Sequence, residues 1–211
     1  MLARWANAWV ATTMAMLAAS LLPATLVLAT LVLATLGALA QTTTTLLGVP
    51  VPDRVSGLPH AAPMNFETNN PGMGYGVRFA HPDWTINVYI YDLKMKSIPD
   101  NPASAAVQAA LDEAKSEIVH IEKRGDYVGL TMKDTFTIAD TAGRGRFICV
   151  EYNYFHKRRA VDLDSYLCLA GAKGEFFQIR MDTVKSKHPA NEARRFVETW
   201  ARAWIPVLWP S

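Results

Sequence analysis

Apolar and polar positions alternate most clearly over residues 85–93, where Ile86, Val88 and Ile90 fall on one side and Asn87, Tyr89 and Tyr91 on the other. Such a period of two predicts a half-buried strand. The same alternation runs through Tyr75, Val77 and Phe79, and more briefly through Met64 and Phe66. Turn chemistry separates the three segments, at residues 69–72 and 81–83, so they predict a meander. The period then lengthens. Val107, Leu111, Ala114, Ile118 and Ile121 recur at alternating steps of four and three, one apolar stripe of a helix. Asn101 is expected to cap it, Pro102 to take its first position and Gly125 to stop it. Strands follow within 127–138 and over 146–156, 164–171 and 175–184. Pro189 and Asn191 open a second helix whose buried face is Phe196, Trp200, Ala203 and Trp204, with Glu198 and Arg202 paired on its surface and Pro206 at its end.

Three strands, a helix, four strands and a helix predict an α+β fold. It should hold one antiparallel sheet of about six to seven strands with the helices packed on it. The pattern places this single domain over 63–208, after an extended lead-in over 41–62 that is rich in Thr and Pro.

Residues 1–40 obey neither period. Their only charged side chain is Arg4, and the uncharged run ends in Ala38-Leu39-Ala40, small residues at the two positions a signal peptidase reads. Cleavage after Ala40 would export the domain, most simply to the periplasm. The run is also longer than the roughly 20 residues that span a bilayer. An uncleaved anchor in the inner membrane is therefore the alternative. Beyond it the chain carries 20 Lys/Arg against 19 Asp/Glu, a near-neutral balance. That argues against a nucleic-acid partner, which requires a basic footprint, and leaves the membrane as a partner only through the leader.

Export changes the reading of the two cysteines. If Cys149 faces Cys168 across a hairpin, Val150 faces Leu167 and Ile148 faces Leu169, which gathers the aliphatic residues on one face and both sulfurs on the other. In an oxidising compartment the pair is a disulfide candidate; in a reducing one the two are buried thiols.

The strings at 72–79 and 84–93, followed by a helix and by the hairpin of 164–171 with 176–180, resemble uncharacterised exported proteins of alphaproteobacteria. The order of strands and helices is similar, more distantly, to the PsbP and DcrB group of small envelope or lumenal α+β domains. That resemblance implies a binding or assembly factor and transfers no functional residue.

The chemistry-bearing residues yield no catalytic set. His60, His81, His120, His156 and His188 are scattered, without a metal-ligand spacing, and His81 with Asp83 reads as a turn in which the Asp bonds its own backbone. No Gly-x-Ser-x-Gly elbow is present. Cys149 and His156 lie on opposite faces of one strand. Asp162 and Asp164 flank a hairpin tip, where solvation is expected, and Glu151 is placed to meet Tyr166. No cofactor and no metal is implied. Two surfaces remain as interaction candidates: Tyr89 with Tyr91, exposed if no helix covers their face, and the basic tip Lys157, Arg158 and Arg159, which also serves to keep a long hairpin soluble. A non-catalytic exported domain binding a partner protein or small ligand is the function expected. A hydrolase with an unrecognised site and an inner-membrane-anchored assembly factor are its rivals. The sequence sets no oligomeric state.

Overall fold

The last long strand of the chain lies in the middle of the sheet. The computed structural model describes residues 43–210, so the expected leader and its cleavage point lie outside the described residues. Strands β5 (Met64–Asn65), β6 (Tyr75–Phe79), β7 (Trp84–Tyr91), β8 (Tyr127–Ala139), β9 (Gly145–His156), β10 (Val161–Ala172) and β11 (Glu175–Val184) form one sheet in the order β5-β6-β7-β11-β10-β9-β8. Every neighbouring pair is antiparallel. The α+β architecture with one antiparallel sheet and packed helices is the one the sequence predicts. The pairing of β11 with β7 closes the meander onto the second group of strands.

Both faces of the sheet are covered, because the central strands carry apolar side chains on both sides. Helix α1 (Ala105–Lys123) lays Val107, Leu111, Ala114 and Ile118 against Val150, Tyr152, Leu163, Leu167 and Leu169. On the opposite face, helix α2 (Ala190–Arg202) and the short α3 (Ile205–Leu208) cover Phe79, Ile86, Val88, Phe177 and Ile179. Trp200 and Trp204 fill this layer, with ring centroids 5.1 Å from Phe79 and 4.7 Å from Phe177 respectively. Truncating either indole to Ala would cost about 3–5 kcal/mol.

Three local expectations change. Residues 43–59, expected as part of an extended lead-in, form two hairpins, β1 (Thr43–Leu46) with β2 (Val49–Pro52) and β3 (Arg54–Val55) with β4 (Leu58–Pro59). Leu46, Val49, Val51 and Val55 are buried in the α2 layer, and that burial, rather than local propensity, orders the segment. Helix α1 starts at Ser104, whose Oγ accepts from the Val107 amide; Asn101 instead closes the preceding turn by accepting from Ala103. Pro206 does not end the chain's helical structure but lies in the first turn of α3, where its missing N–H costs nothing. Among the described residues no helix is long and apolar enough to cross a membrane.

Candidate functional site

Helix α1 packs toward the β8–β10 half of its face and leaves the β6-β7-β11 half less covered. The gap is a groove of about 400 Å³, within the usual range for small-molecule sites. Ala110, Glu113, Ala114 and Glu117 form its helix wall, while Tyr89, Tyr91, Gln178 and Arg180 form its floor. Tyr89 and Tyr91 are thus neither core nor an open patch. They are half-buried, on a face covered by a helix that stops short of them.

Strand register arranges the floor in rows. Phe176 lies opposite Tyr91, Gln178 opposite Tyr89 and Arg180 opposite Asn87, which in turn faces Arg78 on β6. Tyr91 donates from its hydroxyl to Oε1 of the buried Gln178 at 2.8 Å. Burial, reinforced by Glu117, pushes the Tyr91 phenol well above its ordinary range, so it stays a neutral donor. Tyr89 moves the same way, again chiefly through burial.

Arg180 is the charged group of the floor. Burial works against its charge, but the neighbouring Asp182 favours it, and the guanidinium stays protonated. Its guanidinium reaches no carboxylate at ion-pair distance among the described residues; Asp182 accepts from the Tyr154 hydroxyl at 3.2 Å instead. Arg180, Gln178 and Asp182 were not visible as site residues in the sequence. The alternation of β11, with Phe177, Ile179 and Met181 against Gln178, Arg180 and Asp182, was the available signal, but it marks a buried polar row only once β11 is known to be central.

The outer rim is built by two loops held in unusual backbone. Glu67 accepts from the amides of Gly72 and Gly74 at 2.9–3.0 Å, and these bonds keep its carboxylate below the ordinary range. The loop they fix carries Phe66 and Met73 over the groove. Gly74, at φ +57°, lies so close to β7 that an added Cβ would meet the Ile90 carbonyl oxygen at 1.9 Å. Opposite, Leu93 and Lys94 both adopt left-handed backbone, at φ 52° and 63°, a conformation that costs on the order of 1 kcal/mol or more for each non-glycine residue. Asp92 supports them by accepting from the Lys94 amide, and Gly72 accepts from the Leu93 amide. The outcome is an apolar rim held toward water: Met73 is 47% exposed and Leu93 42%.

The basic tip lies elsewhere. Lys157, Arg158 and Arg159 form a single 3-10 turn between β9 and β10; Arg158 binds Asp126 at 2.7 and 3.0 Å, and Arg159 lines an open cleft of about 700 Å³ with Arg78, Asp83 and Lys187. The structure does not join them to Tyr89 and Tyr91 in one site. A larger cleft, about 980 Å³, lies around the β8–β9 turn and Trp209, but Arg144 and Arg146 there are already bound to Asp140.

Other expected residues are displaced as well. Asp164 is not solvated: it is 2% exposed, accepts from Asn153 Nδ2, and keeps an Oδ2 without a partner among the described residues. Burial raises its carboxyl above the ordinary range, and does the same to the nearby Glu151, which pairs across the strands with Tyr166. At His81 the ring, not the aspartate, does the bonding, since Nδ1 accepts from the Asp83 amide while the Asp83 carboxylate turns to Lys187. Among the described residues no group of three His, Cys, Asp or Glu side chains is placed to hold a metal ion. The Cys149 and Cys168 sulfurs stand at bonding distance.

No protein-family model matches the chain, and no curated protein matches it. Among solved structures, the chain is similar to the solution structure of cyanobacterial PsbP (CyanoP) from Synechocystis sp. PCC 6803, with 13% identity and a TM-score of 0.44 over 68% of this chain and 79% of that one. It is also similar to PA94 from Pseudomonas aeruginosa, described as a protein of unknown function, with 11% identity and a TM-score of 0.36 over 76% of this chain and 94% of that one. Likenesses this distant carry nothing about function.

Proposed function

We propose that this protein is a non-catalytic binding domain, exported to the periplasm, that takes a small ligand or a short segment of a partner protein into the groove between α1 and β6-β7-β11. The observation that carries the reading is the state of Tyr89 and Tyr91: two half-buried phenols on a helix-covered face that line an open volume of about 400 Å³, Tyr91 also packing on Phe176. Aromatic walls with a few placed polar groups are the usual composition of a binding site. Export is supported by the leader pattern of residues 1–40, uncharged after Arg4, and by two sulfurs at bonding distance. The rival hydrolase is less well supported. Its best carboxyl pair, Glu151 and Asp164, lies on the α2 side of the sheet, and neither residue lines the clefts described above.

Binding of the fluorescent naphthalene sulfonate ANS to the exported protein tests the groove. Tyr89→Ala, which removes a half-buried ring from its floor, should weaken ANS binding about tenfold or more, or 1.4 kcal/mol, with the far-ultraviolet circular dichroism unchanged. Equal ANS binding by both proteins would count against the groove.

A further inference from the structure

We infer that the ligand of this groove is an amphipathic monoanion, its acidic head against Arg180 and its apolar body running outward along Tyr89 and Tyr91 to Met73 and Leu93. The inference rests on the groove being the binding site. It follows from how the groove changes along its length. Arg180 and Asn87 form one row of the floor, and Tyr91 lies four residues from Asn87 along β7, about 14 Å at the rise of an antiparallel strand. One end is therefore cationic and the other, under Phe66, Met73 and Leu93, is apolar.

Charge alone does not decide the sign of the ligand, because Glu113 and Glu117 stand on the helix wall and Asp182 follows Arg180 on its strand. Their surroundings do. Glu113 and Glu117 are exposed and keep their water, which screens them, whereas Arg180 is half-buried with no carboxylate at ion-pair distance among the described residues. Asp182 offsets part of the Arg180 charge, but its Oδ1 accepts from the Tyr154 hydroxyl and it makes no ion pair with the guanidinium, which keeps donors for a ligand. An enclosed guanidinium offers several fixed donors that match a carboxylate or sulfonate. Its unmet demand for an acceptor exceeds that of two hydrated carboxylates for a cation. The same two carboxylates would repel a second negative charge on the apolar end, so a monoanion fits better than a dianion. The exposed methionine and leucine rim suits an aliphatic or aromatic tail of variable shape.

Three probes of equal tail and different head separate the possibilities: decanoate, decan-1-ol and decyltrimethylammonium. Each is titrated calorimetrically, below its micelle concentration, into the exported protein. Decanoate should bind at least about tenfold tighter than either other probe. Arg180→Gln should bring decanoate down to the level of decan-1-ol while Arg195→Gln, exposed on α2 over the opposite face, leaves the preference in place. Should Arg180→Gln fail to fold, the order of the three probes on the wild type decides. Equal affinities, or decyltrimethylammonium binding tightest, would overturn the anion assignment and leave the groove reading standing. If none of the three binds, both fall.

Discussion

Cys149 and Cys168 lie directly opposite each other across β9 and β10, with Cα atoms 4.0 Å apart and both side chains fully buried. Their register places Val150 against Leu167 and Ile148 against Leu169, so the sulfurs join the α2 layer while the aliphatic residues join the α1 layer. A bond between them closes a loop with a sequence separation of 19. Replacing both residues by Ala should lower stability by about 3 kcal/mol in urea unfolding. Intact mass gives the direct check: reduction under denaturing conditions should add two hydrogens, and reduction of the native protein should be slow because neither sulfur meets water. No mass increment would mean free thiols.

Tyr91→Phe should destabilise the protein although it removes one oxygen atom. The Tyr91 hydroxyl donates to Gln178 Oε1, and Gln178 is buried. Stranding that acceptor costs about 1–3 kcal/mol, readable as a lower urea midpoint at unchanged slope. Tyr91→Phe combined with Gln178→Leu should recover part of the loss, since both polar partners then leave together. Should the double variant be no more stable than Tyr91→Phe alone, the hydrogen bond is not the cause.

Much of the fold is legible in the sequence because its strands alternate and its helices carry clean stripes. Ile86, Val88 and Ile90 point where a period of two puts them, and the Cys149–Cys168 register follows from keeping aliphatic residues together. What the sequence does not reveal is which strands become neighbours. Pairing of β11 with β7 turns Gln178, Arg180 and Asp182 from one polar edge of a hairpin into the floor of a groove. Likewise Asp164 reads as a solvated tip residue until the α2 layer covers it. Long-range coverage, not local propensity, decides these positions. Tyr89 and Tyr91 could be named from sequence but not placed, because exposure on their face depends on how far across the sheet α1 sits.

Asp140 should keep the β8–β9 turn stable into strong acid. Partial burial pushes its carboxyl up, but hydrogen bonds from the Arg144 amide, the Arg144 and Arg146 side chains and the Ala142 amide outweigh this and hold it at about 2, against an ordinary 3.8. A depressed carboxyl contributes stability that is full above the unfolded value and is lost as pH falls through the folded one. The melting temperature of Asp140→Ala should therefore lie below that of the wild type at pH 7 and above about pH 4, and the two should converge between about pH 4 and 2. A gap that closes already at pH 5 would contradict this assignment.

Glu175 should act in the opposite sense. It opens β11 after the tight turn from β10, and its Oε2 is buried without a hydrogen-bond partner among the described residues. Burial first, then the neighbouring Asp92 and Glu67, raise its carboxyl from 4.5 to about 6. The folded state then holds a proton that the unfolded state has already released, so stability is greatest below about pH 4.5 and declines as pH rises through 6. Above that range the loss is constant, because both states are ionised. Glu175→Gln removes the charge and keeps the shape. It should raise the melting temperature at pH 7.5, have little effect at pH 4, and flatten the profile between about 4.5 and 6. Glu67→Gln removes one of the two repelling carboxylates, but it also weakens the acceptor of the Gly72 and Gly74 amides. Its net effect on stability should therefore be a loss, even though the Glu175 carboxyl moves back toward 4.5. Parallel stability profiles for the wild type and Glu175→Gln across pH 4 to 7.5 would remove this group from the account.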